Sequence, residues 1–243
     1  MIAQRYVGTA GWNIPRIHRS RFPSGGSQLQ RYAARLNAAE INTSFYRPHA
    51  ATTYERWAAA VPASFRFAVK VPKIITHECA LGRVRDPLTR FLDEIAGLGQ
   101  KTGPLLVQLP PSFAFDARRV GRFFEMLRRR HEAAVVCEPR HETWTAAAAT
   151  KLLAMFRVAR VAADPPRVAG LDEPGGWGGV AYYRWHGSPR IYFSPYAEEV
   201  LRGLAMRMTS HEVDTWCIFD NTGSGAAAGN ALDLRRLLRT ATP

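Results

Sequence analysis

Eight short apolar runs divide the chain into repeating units. They are Arg5–Ala10, Ala38–Ser44, Phe65–Val71, Leu105–Leu109, Ala133–Glu138, Val158–Asp164, Val180–His186 and Asp214–Asp220. Most of them are apolar almost throughout, which is typical of strands that are buried on both faces of a parallel sheet. The pattern therefore predicts eight parallel strands.

Segments with apolar residues at helical spacing lie between these runs and predict the connecting helices. The candidates are Ser27–Asn37, Thr53–Ala60, Pro87–Leu98, Arg118–Arg130, Thr145–Phe156, Pro195–Met208 and Asn230–Arg239. The stretch from Pro165 to Gly179 is too rich in proline and glycine for a full helix and is predicted to be a loop. The alternation favours an α/β fold, a (β/α)8 TIM-type barrel that is irregular because its sixth helix is short or missing.

Length and composition favour one domain. A chain of 243 residues with 47% hydrophobic content can bury a single large core, so residues 1–243 are predicted to form one TIM-barrel domain. We find no apolar run long enough to span a membrane and no secretory pattern at the N-terminus. The three cysteines form no CxxC motif, and the predicted location is the cytoplasm.

Polar residues end most of the apolar runs. In barrels of this type the functional site lies where the strands end, and residues two apart on a strand share a face. This alternation brings together at the barrel mouth Glu40 with Asn42 and Ser44, Lys70, Gln108, Glu138, Asp164, Arg184 with His186, and either Asp220 or Asn221. Since unpaired polar groups are costly to bury, these side chains predict the functional site.

Several short motifs lie near the predicted strand ends. They are Gly8-Thr9-Ala10-Gly11-Trp12, Glu40-Ile41-Asn42-Thr43-Ser44-Phe45-Tyr46, Phe67-Ala68-Val69-Lys70-Val71-Pro72, Gln108-Leu109-Pro110-Pro111-Ser112-Phe113, Glu138-Pro139-Arg140-His141 and Arg184-Trp185-His186-Gly187. Together they resemble the YecE-like family, also called domain of unknown function 72. The resemblance covers nearly the whole chain and implies a TIM-type barrel without a settled activity. Asp220 stands where the family pattern has an asparagine, so any role that the family gives to the amide of that asparagine is not assigned to Asp220.

The predicted mouth is close to neutral. Its positive side chains are Lys70, Arg140 and Arg184, and its negative ones are Glu40, Glu138, Asp164 and Asp220. Charges this dense in a partly dry site must be paired, hydrogen-bonded or neutralised. The preferred interpretation is an enzyme, of the lyase, isomerase or hydrolase type, that performs acid–base chemistry on a small phosphate- or carboxylate-bearing compound. No cofactor is predicted.

Roles follow from this interpretation. Glu138, His186 and Asp164 are the predicted catalytic residues, because carboxylates and imidazole exchange protons. The predicted substrate-binding residues are Lys70, Arg140, Arg184, Asn42, Gln108, Trp12, Tyr46, His141 and Asn221. Lys70 and Arg184 would hold the anionic group. Glu40 is predicted to be a buried partner of Arg66 or Lys70.

A second interpretation is a divalent-metal-dependent, isomerase- or epimerase-like barrel. Glu138, Asp164, His186 and Asp220 would then supply ligands from the last four strands. The metal would polarise a substrate oxygen while a base moves a proton. The neighbouring cations Lys70, Arg140 and Arg184 oppose a bound metal.

A third interpretation follows from the net charge of +13. An arginine-rich surface is typical of nucleic-acid-binding or nuclease-like proteins. Most of the arginines lie on predicted helices, where solvated faces are their usual position, and nucleic acid is therefore not the favoured partner. The predicted ligand is a small anion, and no membrane association is expected.

Overall fold

A computed structural model describes residues 3–240 of the chain, which contain ten strands. They are β1 (Arg5–Thr9), β2 (Ala38–Ile41), β3 (Arg66–Lys70), β4 (Thr102–Gln108), β5 (Val135–Glu138), β6 (Val158–Arg160), β7 (Ala162–Asp164), β8 (Gly175–Gly176), β9 (Ala181–Trp185) and β10 (Thr215–Phe219). Each predicted strand overlaps an observed one. The sixth is divided into β6 and β7 at Val161, and β8 is an additional short strand.

Seven α-helices connect the strands in the described range. They are α1 (Gln28–Ala33), α2 (Ala51–Ala59), α3 (Arg85–Ile95), α4 (Ala117–Arg128), α5 (Ala147–Met155), α6 (Glu198–Ser210) and α7 (Ala226–Thr240). All seven overlap the predicted helices. The fully described stretch between β7 and β9 contains no α-helix, in agreement with the predicted loop.

The strands form two sheets. One has the order β1-β10-β9-β7 and the other the order β2-β3-β4-β5-β6-β8, and only the β6–β8 pair is antiparallel. In the described residues the ladders do not join into one continuous closed sheet, so the predicted closed barrel is not confirmed. The α/β class, with parallel strands and flanking helices, is confirmed.

The seam between β1 and β2 depends on few backbone contacts. A single bridge pairs Ala10 with Glu40. The buried hydroxyl of Tyr32 completes the seam, because it accepts from the N–H of Thr9 at 2.8 Å and donates to the carbonyl of Ala38 at 3.0 Å. A side chain of α1 thus satisfies backbone groups of two strands that lie side by side.

Two apolar clusters stabilise the fold. The larger one packs the helices against the sheets. The smaller one, which we call the inner core, contains Ala38, Ala68, Leu106, Val136, Ala159, Val161, Val180, Tyr182, Trp216 and Ile218. These residues come from both sheets and mostly alternate along their strands, so they share one face. Polar residues follow two positions later on the same face, at 40, 70, 108, 138, 184 and 220. The inner core is therefore the floor of the candidate site.

Gly8 lies where β1 passes closest to β2. A β-carbon added there would lie 2.0 Å from the carbonyl oxygen of Ala38, so the two backbones would have to separate. We expect Gly8→Ala to lower the free energy of unfolding by about 2 kcal/mol or more. On the exposed face of α6, Gly203→Ala meets open space and should instead raise it by about 0.5–1 kcal/mol. Urea denaturation measures both, and equal effects would contradict a close seam.

Candidate functional site

A buried group of charged and polar side chains lies at the carboxyl ends of the strands. Its members, which we call the charged cluster, are Glu40, Lys70, Gln108, Glu138, Arg140, Arg184, His186 and Asp220. All except Arg140 are buried. The alternation of side chains along the strands brings them together, as the sequence predicted for most of them.

Arg184 is the centre of the charged cluster. Its Nη2 lies 2.9 Å from Glu40 Oε1 and 3.0 Å from Asp220 Oδ2, and its Nη1 lies 3.3 Å from Glu138 Oε2. Burial alone would lower the pKa of Arg184, but the three carboxylates outweigh it and hold this pKa well above its ordinary value. Because its donors already meet three carboxylates, Arg184 is not free to hold a substrate anion in this arrangement.

Glu138 accepts hydrogen bonds from four side chains. Arg140 donates to Oε1 through Nη2 at 2.8 Å, Gln108 donates to both oxygens at 3.1 Å, and Arg184 donates to Oε2 at 3.3 Å. His186 Nε2 lies 3.2 Å from Oε1. Burial would raise the pKa of Glu138, but Arg140, Arg184 and His186 hold it well below its usual value. Glu138 therefore stays ionised and serves better as a fixed negative charge than as a proton carrier.

His186 lies between two carboxylates. Its Nδ1 is 3.1 Å from Asp220 Oδ2 and its Nε2 is 3.2 Å from Glu138 Oε1. These carboxylates are closer than Arg184 Nη1, which lies 3.4 Å from Nδ1, and they favour protons on both ring nitrogens, which is the imidazolium form. Burial opposes this charge, yet Glu138 and Asp220 raise the pKa of His186 above its ordinary value. His186 is therefore a side chain of the cluster that is suited to exchange a proton.

Lys70 differs from the other cations of the cluster. Among the described residues its ammonium makes no hydrogen bond or ion pair, and it lies 4.0 Å from the centre of the Phe45 ring. Burial and the nearby Arg184 lower the pKa of Lys70 to about 8. A desolvated ammonium without a carboxylate partner is available to an incoming anion.

Asp164 lies apart from the charged cluster. Ala159 and Val161 belong to the inner core and Ala163 lines the cleft beside the cluster, so the odd-numbered positions face inward and Asp164 lies on the opposite face. Asp164 Oδ1 accepts instead from the hydroxyl of Tyr196 at 2.7 Å. The fold therefore does not bring Asp164 together with the other two predicted catalytic residues.

Asn42 and Ser44 lie beyond the end of β2, which stops at Ile41. The strand alternation predicted for them therefore does not apply. The buried Oδ1 of Asn42 has no hydrogen-bond partner among the described residues. Ser44 donates to the carbonyls of Ile41 at 2.9 Å and Lys70 at 2.7 Å, so it joins two strand ends.

Two further residues that are predicted to bind substrate, Asn221 and His141, instead make hydrogen bonds within loops. Asn221 is buried, and its Nδ2 donates to the carbonyl of Ser194 and to Oδ1 of Asn230, both at 2.9 Å. His141 precedes a helical turn, and its Nδ1 accepts from the N–H of Thr143 at 3.2 Å. Neither side chain is placed among the residues of the charged cluster.

The predicted aromatic contacts differ in burial. Trp12 packs edge-on against Trp57 and Phe67, with ring centres 5.0 and 6.0 Å apart. It therefore covers the core. Tyr46 is 73% exposed and contacts the ring of Phe45, so it remains open to solvent.

Two contacts of the cluster were assigned differently or missed. The ion-pair partner of Glu40 is Arg184 rather than Arg66 or Lys70. Tyr182 is not among the predicted site residues, yet its hydroxyl donates to Glu40 Oε2 at 3.2 Å. The alternation that places Arg184 at the carboxyl ends of the strands also places Tyr182 on the same face, so the sequence contains a signal for it.

A narrow cleft leads to the cluster. Glu138, Arg140 and His186 line it together with Arg167 and Tyr192. It has room for about one water molecule beside these side chains. A larger ligand therefore requires the loop that carries Tyr192 to move.

The four residues proposed for a divalent metal do not form one set of ligands. Within residues 3–240 no group of three or more His, Cys, Asp or Glu side chains is arranged to hold a metal ion. Asp164 faces Tyr196, and the carboxylates of Glu138 and Asp220 already contact Arg184. A metal at this position would have to displace a guanidinium, so the donor set fits side-chain cations better. In the same range no helix is long and apolar enough to cross a membrane.

The comparison with known proteins agrees with the fold and with the motifs at the strand ends. The family model "Protein of unknown function DUF72" matches residues 6–243. The chain belongs to this family. A curated member, the UPF0759 protein YecE of Escherichia coli K12, is 32% identical over 108 residues, which cover 44% of this chain and 38% of YecE.

Two solved DUF72 structures are similar to this chain. A DUF72 family protein of Thermotoga maritima is 26% identical, with a TM-score of 0.80 over 97% of this chain and 99% of that one. One of Enterococcus faecalis is 20% identical, with a TM-score of 0.82 over 97% and 96%. The likeness therefore extends over the whole fold of these DUF72 proteins.

Arg184 and Lys70 should differ sharply in their effect on stability. Arg184→Met leaves three buried carboxylates without their shared cation, and we expect it to lower the free energy of unfolding by about 3–5 kcal/mol. Lys70→Met removes a buried charge that has no carboxylate partner, so we expect this free energy to change by less than about 1 kcal/mol or to rise. Chemical denaturation of both variants checks the difference. Similar losses in both would show that Lys70 also belongs to the stabilising network.

His186 should make stability depend on pH. Its pKa is raised in the folded state, so its contribution is complete below the unfolded value near 6.5 and is lost as pH rises through the folded pKa. As pH rises above 6.5, we expect the stability difference between the wild type and His186→Gln to shrink, whereas Lys70, which loses its proton around pH 8, is present in both proteins. Urea denaturation at several pH values measures it. A difference that grows with pH would contradict the imidazolium assignment.

Proposed function

We propose that this DUF72 protein is an enzyme that performs acid–base chemistry on a small phosphate- or carboxylate-bearing compound. One observation carries the proposal: His186 lies between the carboxylates of Glu138 and Asp220, in the same buried cluster as a lysine that forms no ion pair within residues 3–240. Structural ion pairs need no such unpaired ammonium. Perturbed groups that converge beside a cleft are typical of active sites.

We further infer that the two sheets close into a (β/α)8 barrel of the TIM type. The bridge between Ala10 and Glu40 supports one junction. At the other junction Val161 donates to the carbonyl of Cys137 on β5, while β7 pairs with β9. A barrel would gather the carboxyl ends of the strands, and with them the charged cluster, at one mouth.

The charge of the cluster favours an anionic ligand. With His186 protonated, the positive side chains are Lys70, Arg140, Arg184 and His186, and the negative ones are Glu40, Glu138 and Asp220. Four positive charges against three leave one uncompensated. A phosphate or carboxylate would neutralise it in a partly dry site, where such pairing is strong.

Each residue then has a distinct role. His186 transfers a proton to or from the substrate, because Glu138 and Asp220 hold its ring and favour the protonated form. Glu138 and Asp220 orient the ring and stabilise its charged form. Lys70, rather than the saturated Arg184, holds the anionic group, and Arg140 lines the cleft that leads to the cluster.

The backbone after β3 supports a functional role for this region. One turn of π-helix, Ile74–Glu78, follows the strand that carries Lys70. Ala80, Leu81 and Arg83 then adopt left-handed backbone conformations, with φ of 46°, 65° and 53°. Such conformations are costly for residues other than glycine and often cluster near functional sites, as single turns of π-helix do.

The test uses 2-phosphoglycolate, which carries both a phosphate and a carboxylate, as a probe. Imidazole NMR should show that the probe raises the pKa of His186, because an added anion stabilises the imidazolium. Lys70→Met should abolish this shift. Lys73→Met is the matched control, since Lys73 is exposed and pairs with Glu78 at 3.3 Å.

Two outcomes would count against the proposal. An unchanged His186 pKa at saturating probe would show that the anion does not bind at the cluster. An equal pKa shift in the Lys70→Met variant would show that Lys70 does not hold the anion. Adding Mn²⁺, Mg²⁺ or Zn²⁺ in parallel tests the metal-dependent interpretation, which requires a metal-induced change at His186 that is lost in Asp220→Asn.

A further inference from the structure

A second pocket is lined mainly by arginines. It lies between the end of α1 and the last turns of α7 and has a volume of about 380 Å³. Its arginines are Arg21, Arg35, Arg235, Arg236 and Arg239. Two of them have acidic partners, because Arg21 pairs with Asp233 at 2.7 Å and Arg236 pairs with Glu198 at 3.1 Å. The other three have no ion pair among the described residues.

Arg235 is the most informative of these three. Its Nε and Nη1 are buried, and neither makes a hydrogen bond within residues 3–240. Buried donors in folded proteins nearly always have a partner, and leaving a charged donor without one is costly. Burial and the nearby Arg239 lower the pKa of Arg235, and no ion pair within residues 3–240 offsets them.

The pocket is separate from the charged cluster. Helix α7 begins shortly after Asp220, at the carboxyl end of β10, and runs back along the sheet. Arg235 and Arg239 lie in its second half, and Arg35 lies between α1 and the start of β2. The pocket therefore lies toward the amino ends of the strands, opposite the end that carries His186.

We propose that this arginine pocket binds a multiply charged phosphate group, of the kind found in pyrophosphate or in a chain of phosphodiesters. Three uncompensated guanidinium groups require more than one negative charge, which a single carboxylate does not supply. Phosphate oxygens also offer several acceptors, and guanidinium donors match them well. The pocket volume is within the range of small-molecule sites. This inference is independent of the function proposed for the charged cluster.

Isothermal titration with pyrophosphate tests the proposal. Arg235→Gln and Arg239→Gln should each weaken binding by about tenfold or more, because each removes charged donors to the phosphate. Arg56→Gln is the matched control, since it removes the same charge from an exposed position on α2. Arg239 is exposed in the last turn of α7, so its replacement should fold even if Arg235→Gln does not.

The outcomes separate this pocket from the charged cluster. Lys70→Met should retain the Arg235-dependent binding of pyrophosphate. Binding that is lost in Lys70→Met and unchanged in Arg235→Gln would overturn the arginine pocket while supporting the anion site at the cluster. Equal weakening by Arg56→Gln would also overturn it, because general attraction to a basic protein would then explain the affinity.

A short single-stranded oligonucleotide distinguishes the two sources of phosphate. If it binds more tightly than pyrophosphate and loses affinity in Arg235→Gln, the pocket recognises a nucleic-acid backbone, and its affinity should fall steeply with salt. If only pyrophosphate responds to Arg235, the ligand is a free phosphate compound. If neither probe shows Arg235-dependent binding, the proposal is wrong.

Discussion

The buried guanidinium of Arg184 is the interaction on which the site depends. Three carboxylates from β2, β5 and the end of β10 meet this one cation from β9. Taking several charges out of water is costly, and only close, well-directed pairing offsets the cost. Arg184 therefore joins the two sheets electrostatically at the end where their strands terminate. It also keeps Glu138 and Asp220 ionised, which in turn favours the imidazolium form of His186.

The inner core and the charged cluster are two successive layers of the same sheet face. Small residues, such as Ala38 and Ala68, lie next to large ones, such as Tyr182 and Trp216, and fill the space between the sheets. The layer above them is polar and buried, and its charges pair with one another at the strand ends. Tyr182 connects the layers, since its ring packs in the apolar one and its hydroxyl donates to Glu40. The charged cluster therefore packs directly on a layer of buried apolar side chains.

The site and the arginine pocket show two ways in which a basic chain distributes its charge. In the charged cluster, cations and carboxylates are nearly balanced and buried together. Most other arginines are on the surface, and several pair with acids on the same or a neighbouring helix, such as Arg129 with Glu125 and Arg130 with Asp93. The net charge therefore says little about the ligand of the cluster. Local pairing, residue by residue, is what distinguishes an available cation from a saturated one.

The strands and helices were predictable from the sequence, because their apolar periodicity is a local property of the chain. The same alternation correctly grouped Lys70, Gln108, Glu138, Arg184 and His186 at one end of the strands. It did not apply at Asn42, because β2 stops at Ile41, and it chose the wrong face at Asp164, because positions 159, 161 and 163 face inward. Alternation shows which residues share a face, but packing against neighbouring strands decides which face is inward and where the strand ends.

The sequence by itself determined which kinds of charged side chain meet at the strand ends. Residue types and the alternation of side chains along a strand are both properties of the sequence. Only the tertiary structure decided which of them are paired. Arg184 and Lys70 look equally suited to hold an anion in the sequence, yet Arg184 meets three carboxylates and Lys70 meets an aromatic ring. That difference arises from distances between strands far apart in the chain. Electrostatic pairing depends on those distances and on burial, which no local pattern contains.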